Sequence, residues 1–282
     1  GPAAPGRWAS GSRRAAAGKV RFALVDIDGT LATTGGAIPG AAAALERLRA
    51  SVAGVRFVTN QSQEASSRTL ARLQSLGLGA EHGEVFSCLA AARRIVDSQE
   101  LRPLLLLTPL ALEEFEGVPT HDPDAVVLGT APDHLHYEGL TEAMRVLQGN
   151  KNSQLIAVNK GRYFMREDGL ALMAGPFVAG LEFATGKTAT VVGKPSSSFF
   201  HAAATDVSGE ADVSEVLGEC VMIGDDALDD VQGAMDAGIP AILVRTGKYQ
   251  AGDEERCRTP PLAVVDSFRE AVEYLQREGH LQ

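Results

Sequence analysis

Five consecutive residues, Asp26-Ile27-Asp28-Gly29-Thr30, carry the densest chemical signal in the chain. An apolar run from Phe22 leads into them, which predicts a strand that delivers two carboxylates to its C-terminal end. Residues two apart on a strand face the same way, so Asp26 and Asp28 can address one ligand. In open α/β sheets the C-terminal edge is where ligands bind. Gly29 lets the backbone turn sharply and approach an anion closely. Taken alone, the same residues also suit a plain acidic turn after a strand.

Three further groups stand in the same relation to an apolar run. Val55–Val58 ends in Thr59 and Asn60, a hydroxyl and an amide that in isolation suit a helix cap. Val191 and Val192 lead into Gly193-Lys194-Pro195, where the plain reading of Lys194 is a surface lysine. Cys220–Ile223 runs through Gly224 into Asp225, Asp226, Asp229 and Asp230. Four acids within six residues repel one another unless a cation or a helix N-terminus offsets them. Capping accounts for Asp229 and Asp230 but is strained for all four. If these strands share one parallel sheet, their C-terminal ends converge. The set then holds a carboxylate pair, hydroxyl and amide donors, one lysine and an acidic cluster suited to Mg²⁺. Those are the parts that phosphoryl transfer needs.

The elements that would position these groups alternate along the chain. Strands are predicted at 22–27, 55–58, 104–107, 125–128, 155–158, 191–192, 220–223 and 241–244. Helices are predicted at 39–50 (entered through Pro39), 62–76, 88–98, 137–147, 176–184, 197–204, 229–237 and 267–276. Such alternation implies parallel sheets covered on both faces. Residues 206–219 are polar and acidic and read as a surface insertion.

At 282 residues the chain has room for about two domains. Its 45% hydrophobic and 22% charged content is that of a soluble globular protein. A net charge of −10 argues against nucleic-acid or acidic-membrane binding. No apolar run approaches the 18 residues of a membrane span. Three distant cysteines, Cys88, Cys220 and Cys257, indicate neither a disulfide framework nor a CxxC metal site, so a reducing, cytoplasmic setting is expected. The first 21 residues hold five basic residues and no acid. They read either as a flexible tail beginning with an expression scar or as the remnant of an organelle transit peptide.

The order DIDGT, VTN, GKP and GDDALDD resembles the haloacid dehalogenase superfamily of phosphatases, over residues 20–282. The insert between Asn60 and Lys194 resembles the type 2 cap of its NagD-like branch. RFVTNQS, KGRYF, DGLAL, GPFV, LEFATG, VVGKP, VMIGDD and RTGKY carry this likeness. The resemblance implies an α/β fold: a Rossmann-like core with a parallel sheet, formed by residues 20–99 and 187–282. An α/β cap at 100–186 would be inserted into it, after a tail at 1–19. It implies that Asp26 is the nucleophile and forms an aspartyl-phosphate. Asp28 would protonate the leaving group and then activate water. Thr59, Asn60 and Lys194 would hold the phosphoryl group beside Gly29. Mg²⁺ would be bound by Asp26, Asp225 and the carbonyl of Asp28, with Asp230 in support and Asp226 or Asp229 sharing that work. Some relatives carry serine in place of the second aspartate; this chain keeps Asp28.

The substrate implied is a small phosphate ester, phosphoamide or pyrophosphate, and a homodimer formed through the cap is expected. A phosphomutase or phosphotransferase, and a catalytically idle scaffold on the same fold, are the rival readings. Lys160, Arg162 and Tyr163 suit either a surface loop with an anchored aromatic or a cap loop that closes over the phosphate and reads the leaving group.

Two other motifs are discounted. Gly186-Lys187-Thr188 lacks the upstream glycine spacing of a phosphate-binding loop, and a helix C-cap explains it better. His134, His136 and Glu138 have no fourth partner in view and read as solvated polar residues.

Overall fold

The computed structural model describes residues 18–166, 169–210 and 212–281, with side chains of 164–166 left out. The tail expected at 1–19 therefore lies outside the described residues, apart from Gly18 and Lys19. The chain forms two compact units. The first comprises residues up to Thr59, then Leu70–Phe86, and then Lys194 onward. The second comprises Asn60–Thr69 and Ser87–Gly193.

The first unit is built on a six-stranded sheet. Its order is β14 (Ala263–Val265), β13 (Ala241–Val244), β12 (Cys220–Gly224), β1 (Phe22–Asp26), β4 (Gly54–Thr59), β5 (Val85–Ser87). β1 pairs in parallel with both β4 and β12, β12 with β13, and β13 with β14. Every residue of β1, β12 and β13 is buried. That explains their unbroken apolar sequences, because a strand covered on both faces has no side to leave polar. Helices α1 (Ala41–Arg49) and α9 (Phe268–Arg277) pack together, and Leu45, Leu48, Phe268 and Leu275 join Val25, Phe57 and Ile223 in one cluster. Helix α7 (Ser197–Ser208) packs on β1 and β4 through its buried Phe199 and Phe200. From β1 the chain steps to β4 on one side, and it later returns to β12 on the other. The order thus reverses at β1, and ligands bind outside the strand ends at such a point.

Several local features depart from the sequence expectation. The first helix starts at Ala41 behind Gly40 in the left-handed region, so Pro39 stands outside it. A small hairpin, β2 (Ala32–Thr33) with β3 (Gly36–Ala37), follows the acidic turn. These two-residue strands are too short to show a period. The helix expected at 229–237 is a π-helical turn over Ala227–Gln232 followed by the short α8 (Gly233–Asp236). Residues 206–219 are not simply a surface insertion. Helix α7 runs on to Ser208, Asp206 is ion-paired with Arg56, and Val216 is buried.

The second unit holds a parallel four-stranded sheet: β11 (Thr190–Val191), β8 (Gln154–Ala157), β7 (Ala125–Leu128), β6 (Pro103–Leu106). Helices α5 (Tyr137–Gly149) and α6 (Gly175–Thr185) cover it, with Leu147, Val178 and Leu181 against Val126, Leu128 and Leu155. An antiparallel hairpin, β9 (Tyr163–Arg166) with β10 (Gly169–Leu172), stands apart from that sheet. Gly186 is the left-handed C-cap of α6, as the sequence suggested. Lys187 Nζ donates to the carbonyls of Lys151 and Ser153 at 2.9 and 2.7 Å. His136 caps α5, accepting from the amide of Gly139 and pairing with Glu138. Among the described residues no helix is long and apolar enough to cross a membrane. The three cysteines are buried.

Candidate active site

The C-terminal ends of β1, β4 and β12 deliver Asp26, Thr59 and Asp225 to one edge of the first unit's sheet. Among the described residues, the buried charged side chains are Asp26, Asp225, Asp230 and Lys194. These four form one cluster. Lys194 Nζ donates to Asp26 Oδ1 and to Asp230 Oδ1, each at 2.6 Å, and to the Val58 carbonyl at 3.2 Å. Asp26, Asp225 and Asp230 each offer a carboxylate oxygen within 4.8 Å of the others.

Burial governs the electrostatics. Desolvation disfavours a charged carboxylate, and the neighbouring acids add to it. Burial pushes the Asp26 carboxyl up to about 6, with Asp225 and Asp28 adding to that and Lys194 opposing it. Asp230 is likewise pushed up to about 6 by burial and then by Asp26. Asp225 is raised by burial against the opposing hydrogen bond from the Lys248 amide. Burial alone would lower Lys194, but Asp230 and Asp26 overcome it and hold the ammonium above its ordinary range.

The acids after β12 divide the work. Asp225 Oδ2 accepts from the Lys248 amide at 2.6 Å. Asp226 caps the π-helical turn, its Oδ1 accepting from the amides of Leu228 and Asp229 at 2.9 Å each. That turn brings Asp230 inward, with Oδ1 on Lys194 and Oδ2 accepting from the Asp226 amide at 3.1 Å. Such turns often mark functional sites. Asp229 is half-buried and pushed up to about 6 by burial and then by Asp226.

Asp28 is placed differently. Its side chain is exposed and its Oδ1 accepts from Arg72 Nη2 at 2.9 Å, on α2 (Ser66–Ser75). Gly29 has φ +99° and its amide donates to the Ala32 carbonyl at 2.7 Å. A Cβ at Gly29 would overlap the Asp225 carboxylate, so this glycine is needed for close approach. Thr59 is buried and Asn60, the next residue, is half-buried in the second unit.

Also in the second unit, Lys160 Nζ donates to both oxygens of Glu182 at 2.8 and 2.7 Å. The Arg162 guanidinium lies 5.4 Å from the Tyr163 ring centroid, at the start of the β9–β10 hairpin.

Sequence reasoning assigned nothing to Thr30, Arg72, Thr246, Gly247 or Lys248. Thr30 Oγ1 donates to Asp225 Oδ1 at 3.4 Å, and Thr246 Oγ1 donates to the Gly29 carbonyl at 2.5 Å. RTGKY was visible as a family stretch, but nothing in its residue types predicts which carboxylate it meets.

The haloacid dehalogenase-like hydrolase model matches residues 23–118, and a HAD-hydrolase-like model matches residues 191–271. The two matches flank the greater part of the second unit. The chain is 47% identical over 256 residues to haloacid dehalogenase-like hydrolase domain-containing protein 2 of Rattus norvegicus, covering 91% of this chain and 96% of that one. It is 38% identical to the phospholysine phosphohistidine inorganic pyrophosphate phosphatase of Homo sapiens, covering 91% and 94%. Among solved structures, the 4-nitrophenylphosphatase of Thermotoga maritima superposes with a TM-score of 0.76 at 26% identity, covering 90% of this chain and 97% of that one.

Proposed function

The chain belongs to the haloacid dehalogenase-like hydrolases, and from that premise we propose that it is a Mg²⁺-dependent phosphatase working through an aspartyl-phosphate on Asp26. One observation carries the reading. The described protein buries three carboxylates and a single ammonium, all in one cluster. An uncompensated buried charge is costly, so this surplus of negative charge calls for a cation. Oxygen donors at this spacing suit a hard divalent ion, so the residues fit the metal that the family implies. Bound there, Mg²⁺ supplies charge neutralisation to the phosphoryl oxygens.

The rest is work for the chain's own residues. Asp26 and Asp225, with the Asp28 carbonyl, hold the cation. Asp26 also attacks phosphorus as the substrate's bridging oxygen or nitrogen departs. Asp28 gives that leaving atom its proton, then takes one from the water that attacks the aspartyl-phosphate and releases inorganic phosphate. To do so it leaves Arg72. Lys194, Thr59 and Asn60 present positive charge and donors to the phosphoryl oxygens, and Asp230 fixes the ammonium of Lys194. Gly29 contributes conformation, because its amide is committed to Ala32. Asp226 and Asp229 shape the turn that carries Asp230.

The substrate is a small molecule with a phosphate ester, phosphoamide or pyrophosphate bond. Likeness to a phosphatase named for the last two supports that range. Residues 100–186 serve as the cap, and their Lys160, Arg162 and Tyr163 read the leaving group. Tyr137 and Phe183 are 81% and 93% exposed beside an apolar cleft between α5 and α6, which supports pairing of two copies through the cap. Three buried, widely spaced thiols suit a reducing compartment such as the cytoplasm.

The test is phosphate release from a panel of small esters, phosphoamides and pyrophosphate with Mg²⁺ present. Turnover that vanishes in chelator and in Asp26→Asn is the expected result. Transfer to an added alcohol without free phosphate would make it a transferase. No turnover across the panel by folded protein would leave a scaffold.

A further inference from the structure

The Asp225 carboxylate is a candidate ligand at the head of a loop, and something must fix its rotamer. Besides Thr30 and Gly29 nearby in the first loop, the carboxylate meets one turn far along the chain, Thr246-Gly247-Lys248. The Lys248 amide donates to Asp225 Oδ2 at 2.6 Å. Gly247, at φ +56°, lies so close that a Cβ there would overlap both Asp225 Oδ2 and the Cα of Gly29. Gly29 meets the same carboxylate from its own side. The Asp225 carboxylate is therefore wedged between two glycines that both sit at positive φ. Thr246 Oγ1 closes the arrangement by donating to the Gly29 carbonyl at 2.5 Å. Its bond links the turn after β13 to the loop that follows Asp26 and Asp28.

We propose that this turn is a positioning clamp for the divalent cation: Thr246 and Gly247 lock the Asp28–Gly29 backbone against Asp225, so that the cation ligands are set before the cation arrives. The inference rests on the metal-dependent reading above. Its physical basis is that groups which orient metal ligands cost about 10- to 100-fold in metal affinity when they are removed. Thr246 touches neither substrate nor cation in this account. It acts through Gly29 and Asp225.

The test is calorimetric titration of MgCl₂ into phosphate-free wild type and into Thr246→Val, Thr246→Ala and Thr246→Ser, with each variant's melting temperature measured in chelator. Val keeps the shape and loses the donor; Ser restores the donor. The expected result is a Mg²⁺ dissociation constant about 10- to 100-fold weaker for Val and Ala, and near wild type for Ser. Melting temperatures in chelator should change little, because Thr246 is only half-buried. Gly247→Ala should weaken Mg²⁺ binding at least as far. Unchanged affinity in Thr246→Val and Thr246→Ala, or equal loss in the Ser variant, would overturn the clamp while leaving the metal-dependent reading intact. Absence of Mg²⁺ binding by wild type would overturn both.

Discussion

Lys194 and Asp230 form a buried ion pair of 2.6 Å, and the same ammonium reaches Asp26 at an equal distance. Lys194 therefore has a structural duty, since it is the sole buried cation among three buried acids of the described residues. Removing one partner of a buried pair leaves unpaired charge and costs about 3–5 kcal/mol. Lys194→Met should thus lower the unfolding free energy by about that amount at pH 8 in chelator. Turnover should be lost as well. Urea unfolding and phosphate release measure the two effects. A Lys194→Met protein as stable as wild type under these conditions would contradict the charge argument.

The acids themselves predict a pH signature. Asp26 and Asp230 stand at about 6 in the fold, above the ordinary value of 3.8. Each binds its proton more tightly folded than unfolded, so their contribution to stability falls as pH rises from about 4 to 6 and stays low above that. A cation that binds only the folded, ionised cluster acts in the opposite sense. The rise in melting temperature caused by 10-fold excess Mg²⁺ over its dissociation constant should be small at pH 5 and several degrees at pH 7.5, by mass action of about 1.4 kcal/mol. Scanning fluorimetry at the two pH values, with chelator as the reference, checks it. An equal increment at both pH values would show that the cation binds elsewhere.

Asp28 separates chemistry from stability. Its pairing with Arg72 is half in solvent, and such pairs contribute about 0–1 kcal/mol. Asp28→Asn should therefore leave the melting temperature within about two degrees of wild type, the shift expected from under 1 kcal/mol in a chain of this size. Its kcat should fall by about 10²–10⁴, the usual contribution of a positioned acid–base group. Asp26→Asn, by contrast, removes a buried charge. It should abolish turnover and raise the melting temperature in chelator at pH 8.

How much of this could be read from the residues is uneven, for physical reasons. The strands at 22–26, 125–128 and 241–244 were legible because burial on both faces leaves unbroken apolar runs. The convergence of Asp26, Thr59 and Asp225 followed from parallel strand order, but that of Lys194 did not, because the strand before it, β11, pairs with β8 in the other sheet. The π-helical turn at 227–232 was not legible, because its period differs from an α-helix by less than two turns of sequence can reveal. Nor was Arg72, whose partner Asp28 lies 44 residues away. The clamp at Thr246 was hidden for the same reason: its bond to Gly29 spans 217 residues, and only the fold brings the two together.

The β9–β10 hairpin gives a final expectation. Tyr163, Leu170 and Leu172 are all exposed on it, so little of the fold depends on them. Lone surface changes move stability by about 0.5 kcal/mol or less. Tyr163→Ala and Arg162→Ala should leave the melting temperature unchanged within that limit. If these residues read the leaving group, the variants should raise KM for the preferred substrate about 10-fold, as loss of one contact of 1–3 kcal/mol would. For 4-nitrophenyl phosphate, a generic substrate, KM and kcat should barely move. Measuring both constants on both substrates decides the matter. A uniform fall in kcat on the two substrates would place the hairpin in the chemical step, and no change on either would confine it to the surface.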